Sequence, residues 1–241
     1  MVIATWVTSH PAVRIGAVMM AIRTACDCLD RVGCACIHRV ANGAERVAEG
    51  ILADVVLDRF VRALDGFEAV LSGVAHGGWS APSPCAGWSA ADVAGHVIGD
   101  LRATEAMACG RDVEYEADDL GSAAGDDPLA AWRVARADLM EALDPAALAR
   151  LVPGPWGQMP LGEILERSAM EFLVHTWDLA HATGQAAVLD PALVRDALGP
   201  ARQFAPLARS SGLVGPECAV AEDADDLTRL LAIFGRRNTG S

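Results

Sequence analysis

The chain has 241 residues, of which 52% are hydrophobic and 21% are charged, a composition typical of one globular domain or of one domain with an appendage. Its net charge is −13, with no lysine among the 19 basic residues, which disfavours binding to nucleic acid or to an anionic membrane surface. No stretch approaches the ~20 apolar residues of a membrane span, and no signal-peptide cleavage site is visible, so we expect a soluble cytoplasmic protein.

The first fifty residues differ from the rest. They carry a net charge of +1, from five arginines and four acidic residues, and their apolar residues show no sustained period. The segment "CDCLDRVGCAC" could bind a soft metal, but it lacks the second half of the usual structural zinc sites. We interpret residues 1–50 as a poorly ordered extension, or an artefact of the gene model, in front of a domain at 51–241. Four of the seven cysteines lie in that segment, namely Cys26, Cys28, Cys34 and Cys36.

Helical periodicity starts at about Ile51 and continues to residue 74. A loop rich in proline and glycine follows, and a second helix is predicted over 89–108. Its start is marked by Ser89 as N-cap and by Asp92 as the acidic partner of a capping box.

A third helix is predicted over 127–143, with Asp127 as its cap and Pro128 in its first turn. The fourth helix runs from about 161 to 183 and stops at Gly184.

Two weaker elements follow. The segment 190–208 predicts a helix that is interrupted near Gly199 and Pro200. The tail 225–238 predicts a short amphipathic helix or an edge strand. Four long helices joined by mixed loops indicate an all-α helix bundle.

The fourth helix carries polar residues on a face that should turn inward. At 100° per residue, Glu171, His175 and Asp178 fall on one line, beside a parallel line of apolar residues. Side chains four positions apart project from adjacent turns, so Glu171 and His175 can bind the same metal ion. On the second helix, His96 is the only histidine among the expected inward positions, which are Val93, His96, Val97, Asp100 and Thr104.

His96, Glu171 and His175 together form a set of two histidines and one carboxylate, which leaves a coordination position open for water or substrate. Zinc, nickel and iron(II) all accept such a set. A histidine on an apolar face is more often a core residue without a metal, and spacing alone leaves both interpretations open.

These residues lie in motifs that resemble a known family. The motifs are "WSAPSPCAGWSAADVAGHVIGD", "EFLVHTWDLAHATG" and the terminal "RLLAIFGR". In this order they resemble the metal-binding domain of mycothiol-dependent maleylpyruvate isomerases and their uncharacterised relatives, which belong to the DinB-like helix bundles. The resemblance covers roughly residues 55–237.

The resemblance implies an up-down-down-up four-helix bundle with an extra C-terminal helix. It also implies a divalent metal, usually zinc, held by His96, Glu171 and His175, and a low-molecular-weight thiol, chiefly mycothiol, as cosubstrate. A Lewis-acid metal would lower the pKa of that thiol, so that thiolate forms at neutral pH.

Three further residues have candidate roles. Asp178 could act as a base or orient a metal-binding histidine, although an Asp near a helix end is often simply solvated. Trp88 and Trp177 flank the two motifs and are expected to line the cofactor pocket, with plain core packing as the alternative.

Two functions remain open at this stage. The first is a metal- and mycothiol-dependent transferase or isomerase that acts on a small electrophile and keeps an open coordination position. The second is a non-catalytic metal-binding stress-response or sensor module, whose metal is closed by a fourth protein ligand. The sequence favours the first, since no fourth ligand is evident. A third, weaker reading pairs His96 and Glu171 in the core without a metal, at a considerable desolvation cost. The oligomeric state is not predicted.

Overall fold

The computed structural model describes residues 35–113, 120–154 and 157–238, with side chains described from Gly50 onward. The chain divides into two units, 1–56 and 57–241. The first helix described below contains residues of both units, and all later elements belong to the second. Three cysteines of the predicted cluster lie outside the described residues, and so does the side chain of the fourth, Cys36.

The first helix, α1, runs over Ala35–Ser72 and therefore begins before the predicted start at Ile51. Alanine, arginine and glutamate are frequent between residues 35 and 50, and these residues favour helix even where apolar residues show no clear period. The remaining helices are α2 (Ala90–Ala108), α3 (Pro128–Ala142), α4 (Pro145–Ala149), α5 (Leu161–Ala182), α6 (Pro191–Ser210) and α7 (Asp226–Ile233).

The predicted helix ends are confirmed where a side chain or a glycine marks them. Ser89 and Asp92 form a complete capping box at the start of α2, and the Asp127 side chain accepts a hydrogen bond from a backbone N–H in the first turn of α3. After α5 the backbone turns at Gly184, whose φ of +68° is a conformation that other residues rarely adopt.

Two local predictions are wrong. The connection between the third and fourth predicted helices, for which no strand was expected, contains at 151–160 an antiparallel hairpin of β1 (Leu151–Gly154) and β2 (Gly157–Pro160). Helix α6 continues through Pro200 and Pro206, although proline removes a backbone donor and crowds the preceding turn. The buried face of α6 keeps the segment helical because its packing outweighs the unfavourable effect of the two prolines on the helix. That face consists of Leu193, Val194, Ala197, Ala201, Ala205 and Ala208.

Helices α1, α2, α3 and α5 surround the core. Ring contacts join Phe60 of α1 to Phe172 of α5, with centroids 5.8 Å apart, and Phe67 of α1 to Trp132 of α3, at 4.9 Å. Every residue of α5 from 172 to 180 is buried, so polar groups on this helix face other protein atoms. The predicted all-α bundle with an additional C-terminal helix is confirmed. Among the described residues, no helix is long and apolar enough to cross a membrane.

Candidate metal centre

Two helices each bring a pair of potential metal donors, four residues apart, to the same place. His96 and Asp100 lie on successive turns of α2, and Glu171 and His175 lie on successive turns of α5. One donor atom from each of His96, Asp100 and Glu171 lies within 4.8 Å of the other two, and His96 Nε2 is 3.5 Å from Asp100 Oδ2. A histidine and two carboxylates therefore meet between α2 and α5.

His175 lies beside this group and contacts Asp178 on its other side. Its ring centroid is 4.9 Å from that of His96, while its Nδ1 is 3.1 Å from Asp178 Oδ2. Asp178 is fully buried and accepts two hydrogen bonds from Arg236, one from Nε at 3.2 Å and one from Nη2 at 2.8 Å. Arg236, Asp178 and His175 thus form a chain of polar contacts that leads to the metal candidates.

The two predicted tryptophans have different surroundings. Trp88 lies against both histidines, with its ring 5.0 Å from that of His96 and 5.8 Å from that of His175. Trp177 stacks instead on His181, at 4.9 Å. The capping box of α2 begins at the residue after Trp88, so the same local structure fixes the ring and the start of the helix.

Burial decides which groups in the centre carry charge. Burial, and next the charge of His175, lower the pKa of His96 to about 3. Burial likewise raises the pKa of Glu171, and burial together with the Glu171 charge raises that of Asp100 well above its usual range. A neutral imidazole is the form of histidine that binds metal, and a divalent cation would offset the cost of two ionised carboxylates at close range.

Asp178 behaves differently from these two carboxyl groups. Burial alone would raise the pKa of Asp178, but hydrogen bonds and charges from His175 and Arg236 hold it below its ordinary value. An ionised carboxylate can only accept hydrogen bonds, so His175 Nδ1 must carry the proton. Nε2 is then the ring nitrogen that Asp178 does not engage.

Near the same arginine lies a cysteine. Cys85 is half-buried, and burial raises the pKa of its thiol although the charge of Arg236 opposes this change. The Cys85 thiol therefore stays protonated at neutral pH and is a poor nucleophile.

The donor set fits a divalent metal. Ligands at about 2.1 Å from a tetrahedral metal are about 3.4 Å apart, close to the 3.5 Å between His96 Nε2 and Asp100 Oδ2. Imidazole nitrogen with carboxylate oxygen is a donor set that zinc and iron(II) accept.

Sequence reasoning selected His96, Glu171, His175, Trp88 and Asp178, and the structure brings these five residues together. Whether they act as predicted stays a prediction.

The sequence did not indicate Asp100 as a metal donor or the pairing of Arg236 with Asp178. Asp100 stands one turn after His96 on the face already predicted to point inward, so its spacing could have identified it. Arg236 is 58 positions from Asp178, and no local pattern reveals that pairing.

Comparison with known proteins identifies the family. Residues 60–180, half of the chain, match the family described as the mycothiol maleylpyruvate isomerase N-terminal domain. Uncharacterised proteins from two strains of Mycobacterium tuberculosis are each 31% identical over 158 residues, which is 65% of this chain and 78% of theirs.

The fold has solved counterparts. Two crystal structures of mycothiol-dependent maleylpyruvate isomerase, one of them of a mutant, match with a TM-score of 0.53 and 18% identity. Each match covers 77% of this chain and 91% of the isomerase chain, so it extends well beyond residues 60–180. The likeness at this identity concerns the fold. On the sequence match over half of its length, the chain belongs to the mycothiol maleylpyruvate isomerase N-terminal domain family.

Proposed function

We propose that this chain binds one divalent metal through His96, Glu171 and His175 and uses it to activate a low-molecular-weight thiol. The observation that carries the proposal is the meeting of donors from α2 and α5 in a partly buried position. Zinc is the metal we expect, and mycothiol, which the family description names, is the expected thiol. The reaction would be of the transferase or isomerase type, on a small electrophilic substrate.

The bound metal would supply Lewis acidity, which lowers the pKa of a thiol or water that reaches it. The surrounding residues of the chain would orient the metal-binding side chains. Asp178 accepts a hydrogen bond from His175 Nδ1 and would thereby leave Nε2 of that ring to hold the metal. Arg236 fixes Asp178 in turn, a contact that supports an orienting role for Asp178 and disfavours a role as base. Trp88 contacts the rings of both histidines and would restrict the positions that they can adopt around the metal. For Trp177, packed on His181, a pocket-lining role stays a prediction.

One observation favours the non-catalytic alternative. Asp100 is a possible fourth metal donor that was not predicted from the sequence. A permanent fourth protein ligand would fill the open coordination position of the metal. A purely structural metal would stabilise the bundle strongly and would not respond to added thiol.

Metal content of the purified full chain, measured by mass spectrometry before and after reconstitution, tests the proposal. We expect about one equivalent of metal, lost in His96→Ala and in His175→Ala. The matched control is His181→Ala, which removes a histidine of the same helix outside the centre and should keep the metal. Full retention of metal in His175→Ala would refute the ligand set.

The cysteines near the N-terminus need a separate control. In a variant with all four changed to serine, metal content should stay at the wild-type value. A loss of metal in that variant alone would move the site from the bundle to residues 26–36. If added thiol leaves metal binding unchanged and a chelator lowers the melting temperature strongly, the non-catalytic structural metal is favoured.

A further inference from the structure

The arrangement of donors on α2 and α5 has an internal symmetry. Each helix offers one histidine and one carboxylate, four residues apart, and the two pairs face each other. His96, Asp100 and Glu171 already lie within 4.8 Å of one another. Donors around a tetrahedral metal are about 3.4 Å apart, close to the 3.5 Å between His96 Nε2 and Asp100 Oδ2. Asp100 thus has the position of a ligand.

The four donors are not held equally firmly. His175 is anchored by Asp178, and its side chain is 11% exposed. His96 packs against Trp88. The Asp100 side chain is 19% exposed, and its ion-pair partner is His96 itself. Release of Asp100 therefore breaks one ion pair within the donor set and leaves the contact that anchors His175 intact.

Charge also selects a carboxylate as the group that leaves. A divalent cation with two carboxylates is neutral, and an added thiolate would leave an excess negative charge in a partly buried place. Release of one carboxylate from the metal would restore the neutrality of the metal together with its bound ligands. Glu171 lies near the guanidinium of Arg167, whereas the charge near Asp100 is that of Glu171. Asp100 is therefore the carboxylate with less electrostatic support.

We propose that Asp100 is an exchangeable fourth ligand, which occupies the coordination position of the thiol at rest and gives it up when a thiol binds. The inference rests on the metal site proposed above. The exchange breaks one metal–oxygen contact and forms one metal–sulfur contact. The thiol proton passes to solvent, and no electrons are transferred. The site is then closed without thiol and opens only for a ligand that competes with a carboxylate.

An exchangeable ligand links the metal affinity and the thiol affinity quantitatively. A permanent ligand, or a residue that never binds the metal, does not. If Asp100 binds the metal only when thiol is absent, its removal weakens metal binding by a certain factor. Thiol binding must become tighter by the same factor, because the thiol no longer has to displace the carboxylate. The two changes are equal in size and opposite in sign.

The test uses the full chain loaded with cobalt(II), which reports its ligands by visible absorption, and 2-mercaptoethanol as an uncharged thiol. Competition with a chelator gives the cobalt affinity, and the sulfur-to-cobalt charge-transfer band gives the thiol affinity. For Asp100→Ala we expect cobalt binding about 10- to 100-fold weaker and thiol binding tighter by the same factor. Asp100→Asn, which keeps the shape, should change both in the same directions but less.

Asp138→Asn is the control, because Asp138 is an exposed carboxylate on α3 and its loss changes the net charge equally. Circular dichroism checks that each variant is folded. Unchanged cobalt affinity in both Asp100 variants would overturn the proposal, and so would a loss of cobalt and thiol affinity together, which would mark Asp100 as a permanent ligand. A wild-type chain that binds no cobalt, or His96→Ala and His175→Ala that bind it normally, would instead refute the proposed function.

Discussion

Arg236 and Asp178 form a buried ion pair whose strength can be predicted from its surroundings. The Arg236 side chain is 9% exposed and that of Asp178 is fully buried. Removal of one partner from such a pair costs about 3–5 kcal/mol, because the other charge stays in the protein interior without compensation. Asp178 keeps its contact with His175, so we expect about 3 kcal/mol, at the lower end of that range, for Arg236→Met. Methionine retains most of the apolar stem of arginine.

A double-mutant cycle isolates the pair. Asp178→Asn alone should destabilise by a similar amount, since it leaves the guanidinium buried without its anion. The double variant leaves neither charge unpaired, so its cost should fall below the sum of the single costs by at least about 2 kcal/mol. Urea denaturation followed by circular dichroism measures each free energy of unfolding, in metal-free protein throughout.

Arg195→Met is the matched control. Arg195 forms an ion pair with Asp226 at 3.9 Å, and its side chain is 67% exposed, so little change in stability is expected. Additive single costs at Arg236 and Asp178 would refute the view that these two charges compensate each other.

Three further changes test the fold around the centre. Ser89→Ala removes the N-cap of α2 and should lower the free energy of unfolding by about 1 kcal/mol, measured by urea denaturation. Gly184→Ala places a Cβ at a φ of +68° and should cost about 1 kcal/mol by the same assay. Glu68→Gln weakens the hydrogen bond that Glu68 accepts from Trp132 Nε1 at 3.1 Å and should cost about 1–2 kcal/mol at pH 7.

The effect of Glu68→Gln should depend on pH in a stated direction. Burial alone would raise the pKa of Glu68, but hydrogen bonds from Trp132 and Arg136 hold it below its ordinary value. A lowered pKa means that the carboxylate adds stability at neutral pH and loses this contribution as the pH falls through its folded pKa. The wild-type and variant stabilities should therefore begin to converge at about pH 4, where the unfolded group becomes protonated, and should meet below the folded pKa. A constant difference down to pH 3 would contradict this assignment.

The predictions for Ser89→Ala and Gly184→Ala each have a control variant. Ser72→Ala changes an exposed serine that bonds only within its own helix end and should leave stability nearly unchanged. Gly66→Ala changes a helical glycine with no neighbouring atom within 4 Å of the added Cβ and should be stabilising rather than destabilising. A neutral Ser89→Ala or a stabilised Gly184→Ala would show that the helix ends are fixed elsewhere.

Features that depend only on residues close together in the sequence could be predicted from it. The capping box at Ser89, the cap at Asp127 and the turn at Gly184 each follow from the conformational preference of one or two side chains. Histidine and carboxylate four residues apart share a helix face for the same local reason, which is why His175 and Glu171 could be selected.

Features that depend on distant residues could not be predicted in this way. The strands at 151–160 are four residues long and rich in proline and glycine, so they carry no alternation that would identify them. Helix α6 continues through its prolines because its small apolar face packs on the bundle, which local preference does not report. The tie between Arg236 and Asp178 joins residues 58 positions apart. Asp100 was on the predicted inward face, but a single carboxylate on a helix is usually solvated.

The long separation between Asp178 and Arg236 has a consequence for biosynthesis. Ribosomes add roughly 5–20 residues per second, so Arg236 is made roughly 3–12 s after Asp178. During that interval the donors of α2 and α5 already exist, but the carboxylate that orients His175 lacks its cation. A metal ion captured by the nascent chain would meet a histidine ring that is still free to turn, and the final geometry would be set only when the arginine arrives.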